Sequence, residues 1–170
     1  MRRWLLGLVL AAVVLAFGVV FWRMLFPGPE QAIRRELSEL AKLASFAPNE
    51  GAVAKLANAQ KLSSWFLEDA EIRVDAQGFQ TQDLKGREEI FQKALGVRQF
   101  LASLSVEFLD MIVSLSQDRE TAVANLTAKI KVPIDRDYYP QELKFTFKKV
   151  SGKWMILKLE TVKTLAMARI

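Results

Sequence analysis

Trp65-Phe66-Leu67-Glu68-Asp69-Ala70-Glu71-Ile72-Arg73-Val74 is the stretch on which the fold turns. Before it, apolar residues recur every three or four positions. Within it, Ala70, Ile72 and Val74 alternate with Glu71, Arg73 and Asp75. A change of period from 3.6 to 2 marks the passage from helix to half-exposed strand.

Working back from Trp65, Val53, Leu56, Ala57 and Gln60 predict a short helix ending near Ser63-Ser64. Pro48-Asn49-Glu50 reads as a stop followed by an N-cap. Further back, Ile33, Leu37, Leu40, Ala41 and Ala44 trace an amphipathic helix over 29–45. Pro29 suits its first turn, where a missing N–H costs nothing, and Glu30 suits the positive helix end.

Forward of Val74, Asp75 to Gly78 is turn chemistry and Phe79–Gln82 a short return strand. Gly86-Arg87-Glu88-Glu89 opens a third helix, with Ile90, Phe91, Ala94, Leu95, Val97 and Phe100 as its apolar contacts. Four strands fill the rest. In the first, Leu104, Val106 and Phe108 share one parity, whereas Leu109, Met111, Val113 and Leu115 take the other. A parity flip inside one strand signals a β-bulge. Ala122, Ala124, Leu126, Ala128, Ile130 and Val132 form the second strand, Leu143, Phe145 and Phe147 anchor the third, and Ser151-Gly152 turns into the fourth, Trp154–Lys163. This order predicts an α+β domain: three helices packed on one face of a bent antiparallel sheet of about six strands.

The amino-terminal end is different. From Trp4 to Trp22 there is no charge and no proline. At 1.5 Å per residue such a helix spans roughly the 30 Å hydrocarbon core of a bilayer. Arg2 and Arg3 precede it, Arg23 closes it, and Trp4 and Trp22 stand where interfacial tryptophans belong. Ala16-Phe17-Gly18 loosely resembles a signal-peptide cleavage site, but the apolar run continues past it through Val19, Val20, Phe21 and Trp22. The chain therefore divides into a transmembrane anchor over 1–26, a connector over 27–29, a domain over 30–165 and a tail over 166–170. Arg2, Arg3 and the terminal amine favour a cytoplasmic amino terminus while Arg23, Arg34 and Arg35 pull the other way; the expected topology has the domain outside, as in a single-pass protein of a bacterial inner membrane.

Composition narrows the chemistry. The 170 residues contain neither cysteine nor histidine. That removes thiolate nucleophiles, disulfides, the commonest general base and the commonest metal ligand. No cofactor and no metal site is implied. The net charge of +5 is uneven: +4 over residues 1–35, −4 over 36–140 and +5 over 141–170. A basic flank and a basic carboxyl-terminal segment are not the footprint of a nucleic-acid-binding domain.

Three stretches carry a family resemblance: the opening decapeptide Trp65–Val74, Leu84-Lys85-Gly86-Arg87-Glu88-Glu89-Ile90, and Gly152-Lys153-Trp154-Met155-Ile156. In order and spacing they resemble the nuclear transport factor 2-like (SnoaL-like, cystatin-like cone) superfamily over residues 29–165. The resemblance implies a cone-shaped domain. It fixes no reaction, because the superfamily includes isomerases, dehydratases, polyketide cyclases, transport adaptors and non-catalytic assembly domains. The bitopic inner-membrane component of type IV secretion machines resembles this chain in having one amino-terminal span and an extracytoplasmic cone.

An enzyme of this kind needs an acid or base within an apolar cone. Asp110 beside the bulge, Tyr138 and Glu160 are the weak candidates, and none forms a pair with catalytic spacing. Glu160 is explained more simply by pairing with a lysine across strands. The last strand has Met155, Leu157 and Leu159 on one parity and Trp154, Ile156 and Val162 on the other. An apolar second face implies a covered second face: Trp154, Ile156 and Val162 are expected at a homodimer or partner interface in an envelope complex, or else Trp154 and Ile156 line the closed end of the cone. The lysines of the terminal hairpin read as edge protection or as a contact with anionic lipid. These observations favour a membrane-anchored, non-catalytic binding or assembly domain. The alternative is a domain that holds a small apolar ligand, with isomerase- or cyclase-like chemistry in the cone.

Overall fold

The computed structural model describes residues 28–75, 82–133 and 139–162. The chain divides into two compact units, Met1–Ala32 and Ile33–Ile170; the fold below is that of the second. Among the described residues no helix is long and apolar enough to cross a membrane. The run from Trp4 to Trp22, with Arg2, Arg3 and Arg23, lies outside the described residues, as does Tyr138.

The elements are α1 (Pro29–Ala44), α2 (Ala52–Ser63), β1 (Phe66–Val74), β2 (Gln82–Lys85), α3 (Arg87–Phe100), β3 (Ser105–Leu115), β4 (Thr121–Lys131), β5 (Tyr139–Val150) and β6 (Lys153–Thr161). The strands form one sheet in the order β2-β1-β6-β5-β4-β3. The expected helix count and α+β layering hold, but the sheet is mixed. β1 and β6 pair in parallel, Phe66 opposite Ile156 and Ile72 opposite Leu159. Side-chain alternation is the same in both strand directions, so the opening stretch could not disclose this pairing. Phe79 to Thr81 of the expected return strand Phe79–Gln82 lie outside the described residues, and the described strand runs Gln82–Lys85.

α1 lays Ile33, Leu37, Leu40 and Ala41 into the core. Its course is fixed by β3. The Arg34 guanidinium donates to the Met111 carbonyl. The Val106 N–H donates to Ser45 Oγ at 2.9 Å. Phe46 and Leu104 exchange backbone hydrogen bonds of 2.8 and 3.0 Å. α1 therefore runs antiparallel to β3. Two local signals read differently in space. Gly51, not Asn49 or Glu50, is the N-cap of α2. Gly86 caps α3 at φ +83°, where a Cβ would meet the Glu68 carbonyl at 3.2 Å, so glycine is required there.

The bulge in β3 is present: register shifts between Leu109 and Ile112, and Asp110 takes φ 52°. A second bulge was not expected. Phe147 opposes Ile156 but Thr146 opposes Lys158, which leaves Leu157 as the extra residue in β6. Past it, Leu159 and Thr161 share the face of Trp154 and Ile156. That corrects the reading of β6 as apolar on both faces. Trp154 is 7% exposed and Ile156 1%, both in the core, and the apparent second face is a parity flip at Leu157. Neither ring nor methyl is presented to a partner.

Candidate functional site

The space between helices and sheet comes first, because a ligand-binding cone would keep it open. Phe145 and Phe147 are 1% exposed, Ile33 and Ala124 0%, Leu37 and Ile156 1%. Accessible area includes the wall of any void wide enough for water, so no such void touches these side chains. Phe145 and Phe147 stack with centroids 6.1 Å apart, and Phe108 meets Phe145 edge-on at 5.7 Å. Among the described residues these three rings pack together in this part of the core.

The sequence-predicted site residues are not brought together. Asp110 is exposed on its bulge rather than turned into the cone, which corrects its role as a re-aimed acid. Glu160 accepts from Lys158 at 2.7 Å and Lys144 at 3.1 Å. Those hydrogen bonds hold its carboxyl below the usual range, the state of a paired anion and not of a proton donor. Val162 is 37% exposed at the end of β6. Among the described residues no three acidic, histidine or cysteine side chains are placed to hold a metal ion.

Pattern reading missed two features of the helix layer. In α3 the expected contact Phe100 is 88% exposed, while Arg98 is 2% exposed. Both terminal nitrogens of the guanidinium are engaged. Its Nη1 donates to both Glu50 oxygens, at 2.7 and 2.8 Å. Its Nη2 donates to the Leu43 carbonyl, and its Cζ lies 4.9 Å from the Phe46 ring centroid. Asn58 adds a donor to Glu50 at 2.6 Å. The arginine thus meets a carbonyl left over at the end of α1, and the glutamate precedes the start of α2, both favourable to the helix dipoles. Burial alone pushes the Glu50 carboxyl up, but hydrogen bonds from Asn58 and Arg98, with the arginine's charge, leave it below the usual range. The signal was there: Arg98 lies four residues after Ala94 and eight after Ile90, on the apolar stripe.

This clamp draws the end of α1, the start of α2 and the end of α3 into one corner. On the two helices it joins, Val53 and Leu56 of α2 are 83% and 49% exposed and Phe100 at the end of α3 is 88% exposed. A buried arginine and bare apolar side chains on the same pair of helices invert the usual arrangement.

The second feature is Glu36, flanking the apolar stripe of α1 between Ile33 and Leu40. Its Oε2 is buried without a hydrogen-bond partner, and burial raises its carboxyl above the usual range. On the outer side of α1, Arg34, Arg35, Ser38, Glu39 and Lys42 line only a shallow open groove.

No protein-family model matches the chain, and no curated protein matches it. Solved structures do. A domain of unknown function with a cystatin-like fold from Nostoc punctiforme superposes with TM-score 0.60 at 16% identity, over 84% of this chain and 81% of that one. An NTF2-like protein with a cystatin-like fold from Novosphingobium aromaticivorans gives 0.55 at 21% identity, over 79% and 84%. A protein from the same organism, provisionally named a scytalone dehydratase, gives 0.57 at 18% identity, over 79% and 83%. At such identities the likeness is one of fold. The described domain has the nuclear transport factor 2-like, cystatin-like cone fold.

Proposed function

We propose that this chain is a membrane-anchored, non-catalytic cone domain that binds a protein partner or a second copy of itself in an envelope complex. The observation that carries the reading is the corner of α2 and α3. Phe100 is an aromatic side chain of the kind enriched at interfaces, with Val53 and Leu56 as exposed apolar companions, and the Arg98–Glu50 clamp holds the start of α2 and the end of α3 in place before a partner arrives. The uncharged run from Trp4 to Trp22 supports the anchor, and Arg2 and Arg3 support a cytoplasmic amino terminus. Nucleic acid is not the partner this charge distribution suits.

The test uses the full chain in its native membranes, with a photo-crosslinking phenylalanine analogue in place of Phe100 and, separately, of Lys93, which is exposed on the same helix. A discrete protein adduct at position 100 and none at 93 is expected, in a fraction that resists an alkaline carbonate wash. Equal labelling at both positions, or release of the chain by the wash, would sink the proposal.

A second reading, a small apolar ligand handled by isomerase- or cyclase-like chemistry, is favoured by Glu36 alone. A desolvated carboxyl with one unpartnered oxygen suits a group that holds and passes a proton. It would gain from a ligand-dependent rise in melting temperature that Glu36→Gln abolishes.

A further inference from the structure

We propose that the tip of the β5–β6 hairpin, Lys148 to Lys153, is the face the domain lays on an anionic lipid bilayer, because the fold sets this basic tip at the end where the chain enters the domain. The inference rests on the membrane-anchored reading above.

The juxtaposition follows from register. Arg34 is level with Met111, Ser45 with Val106 and Phe46 with Leu104. The chain thus enters the second unit, at Ile33, toward the end of the sheet where β3 finishes. Leu115 there pairs with Ala122, Thr121 pairs with Lys148, and the Lys149 N–H donates to the Glu120 carbonyl at 2.8 Å. The Ser151-Gly152 turn is at that same end. In sequence, ten residues separate Trp22 from Ile33, a tether of at most roughly 35 Å. Tethering makes a weak surface attraction an intramolecular event.

The charges at this end suit phospholipid. Lys148 and Lys153 are exposed, Val150 at the tip is 40% exposed, and the Lys149 ammonium lies 5.9 Å from the Trp154 ring centroid. Among the described residues no carboxylate forms an ion pair with any of these three lysines, whereas Lys144 and Lys158, farther along the hairpin, share the Glu160 carboxylate. Arg119 adds a cation in the β3–β4 loop, between Asp118 and Glu120. Asp118 is engaged by Ser116 and the Glu120 N–H. Lys148 and Lys149 lie on β5, an interior strand between β4 and β6, so protection of a sheet edge does not account for those two. Lysines beside an anionic surface with one apolar side chain among them form an interfacial contact.

The chain has no cysteine, so Val150→Cys gives one labelling site in the full protein. Ser105→Cys marks the opposite end of the sheet and Phe17→Cys the apolar run. Each is labelled with a fluorophore and reconstituted into phosphatidylcholine vesicles, with or without phosphatidylglycerol, that carry a headgroup quencher. The Val150 label should be quenched in phosphatidylglycerol vesicles and fall to the phosphatidylcholine level with Lys148→Glu/Lys153→Glu or in high salt. The Ser105 label should stay unquenched. If the Phe17 label is in the bilayer but the Val150 label is unquenched in both vesicles, the contact is wrong and the anchor stands. Quenching indifferent to phosphatidylglycerol and to charge reversal also overturns it. If the Phe17 label stays in water, the anchored reading fails and takes this inference with it.

Discussion

The sheet and the corner of α2 and α3 treat polarity in opposite ways. Along β4, Ala122, Ala124, Leu126 and Ala128 are 0–4% exposed while the residues between them are open or half-open. At the corner an arginine is buried and a phenylalanine bare. The sheet gains its stability from apolar area removed from water. The corner relies on a buried ion pair, which contributes little net stability but is costly to break. A costly rigid clamp between helices that carry exposed apolar side chains makes sense if the corner positions a surface for binding.

The largest effects should come from breaking each region at its centre. Phe145→Ala in the sheet should cost about 3–5 kcal/mol in urea unfolding. Arg98→Ala should cost a similar amount, about 3–5 kcal/mol, by stranding the Glu50 charge. The two should part company in rescue. Arg98→Met with Glu50→Leu removes both charges and should recover most of the loss, while no polar substitution rescues Phe145→Ala. A double variant no more stable than Arg98→Ala would break the comparison.

Acid should then separate the two half-buried carboxylates, Glu50 and Glu36. Glu50 is held below its ordinary value of 4.5, so its stabilisation is present above that pH and is lost as pH falls through its folded value. Glu36 is raised from 4.5; its contribution is fullest below that pH and is lost as pH rises through its folded value. Urea midpoints across pH should show Glu50→Gln flattening the acid-side loss and Glu36→Gln flattening the opposite slope. Smaller again, Glu160→Gln should cost under about 1 kcal/mol, since its lysine partners are more than one-third exposed.

How much of this was legible follows from the same contrast. Strand residues announced themselves by alternation, and the β3 parity flip gave the bulge. Leu157 produced an identical flip in β6 and was read as a second apolar face, because residue parity cannot tell an extra residue from a two-sided strand. The parallel β1–β6 pairing links residues about ninety positions apart and leaves no local mark. In α3, Arg98 stood on the apolar stripe and Phe100 beside it, but hydrophobicity assigned the phenylalanine inside. Only a partner from another helix, Glu50, makes a buried arginine tolerable, and nothing in the local stretch announces that partner.

The most direct test of the corner as a binding surface is Val53→Ser/Phe100→Ser in the full chain, scored for thermal stability and for partner crosslinking in native membranes. Stability within about 0.5 kcal/mol of the parent, as for exposed side chains, together with loss of the crosslinked complex, is the expected result. A complex that survives the double substitution, or a domain that unfolds because of it, would contradict the account.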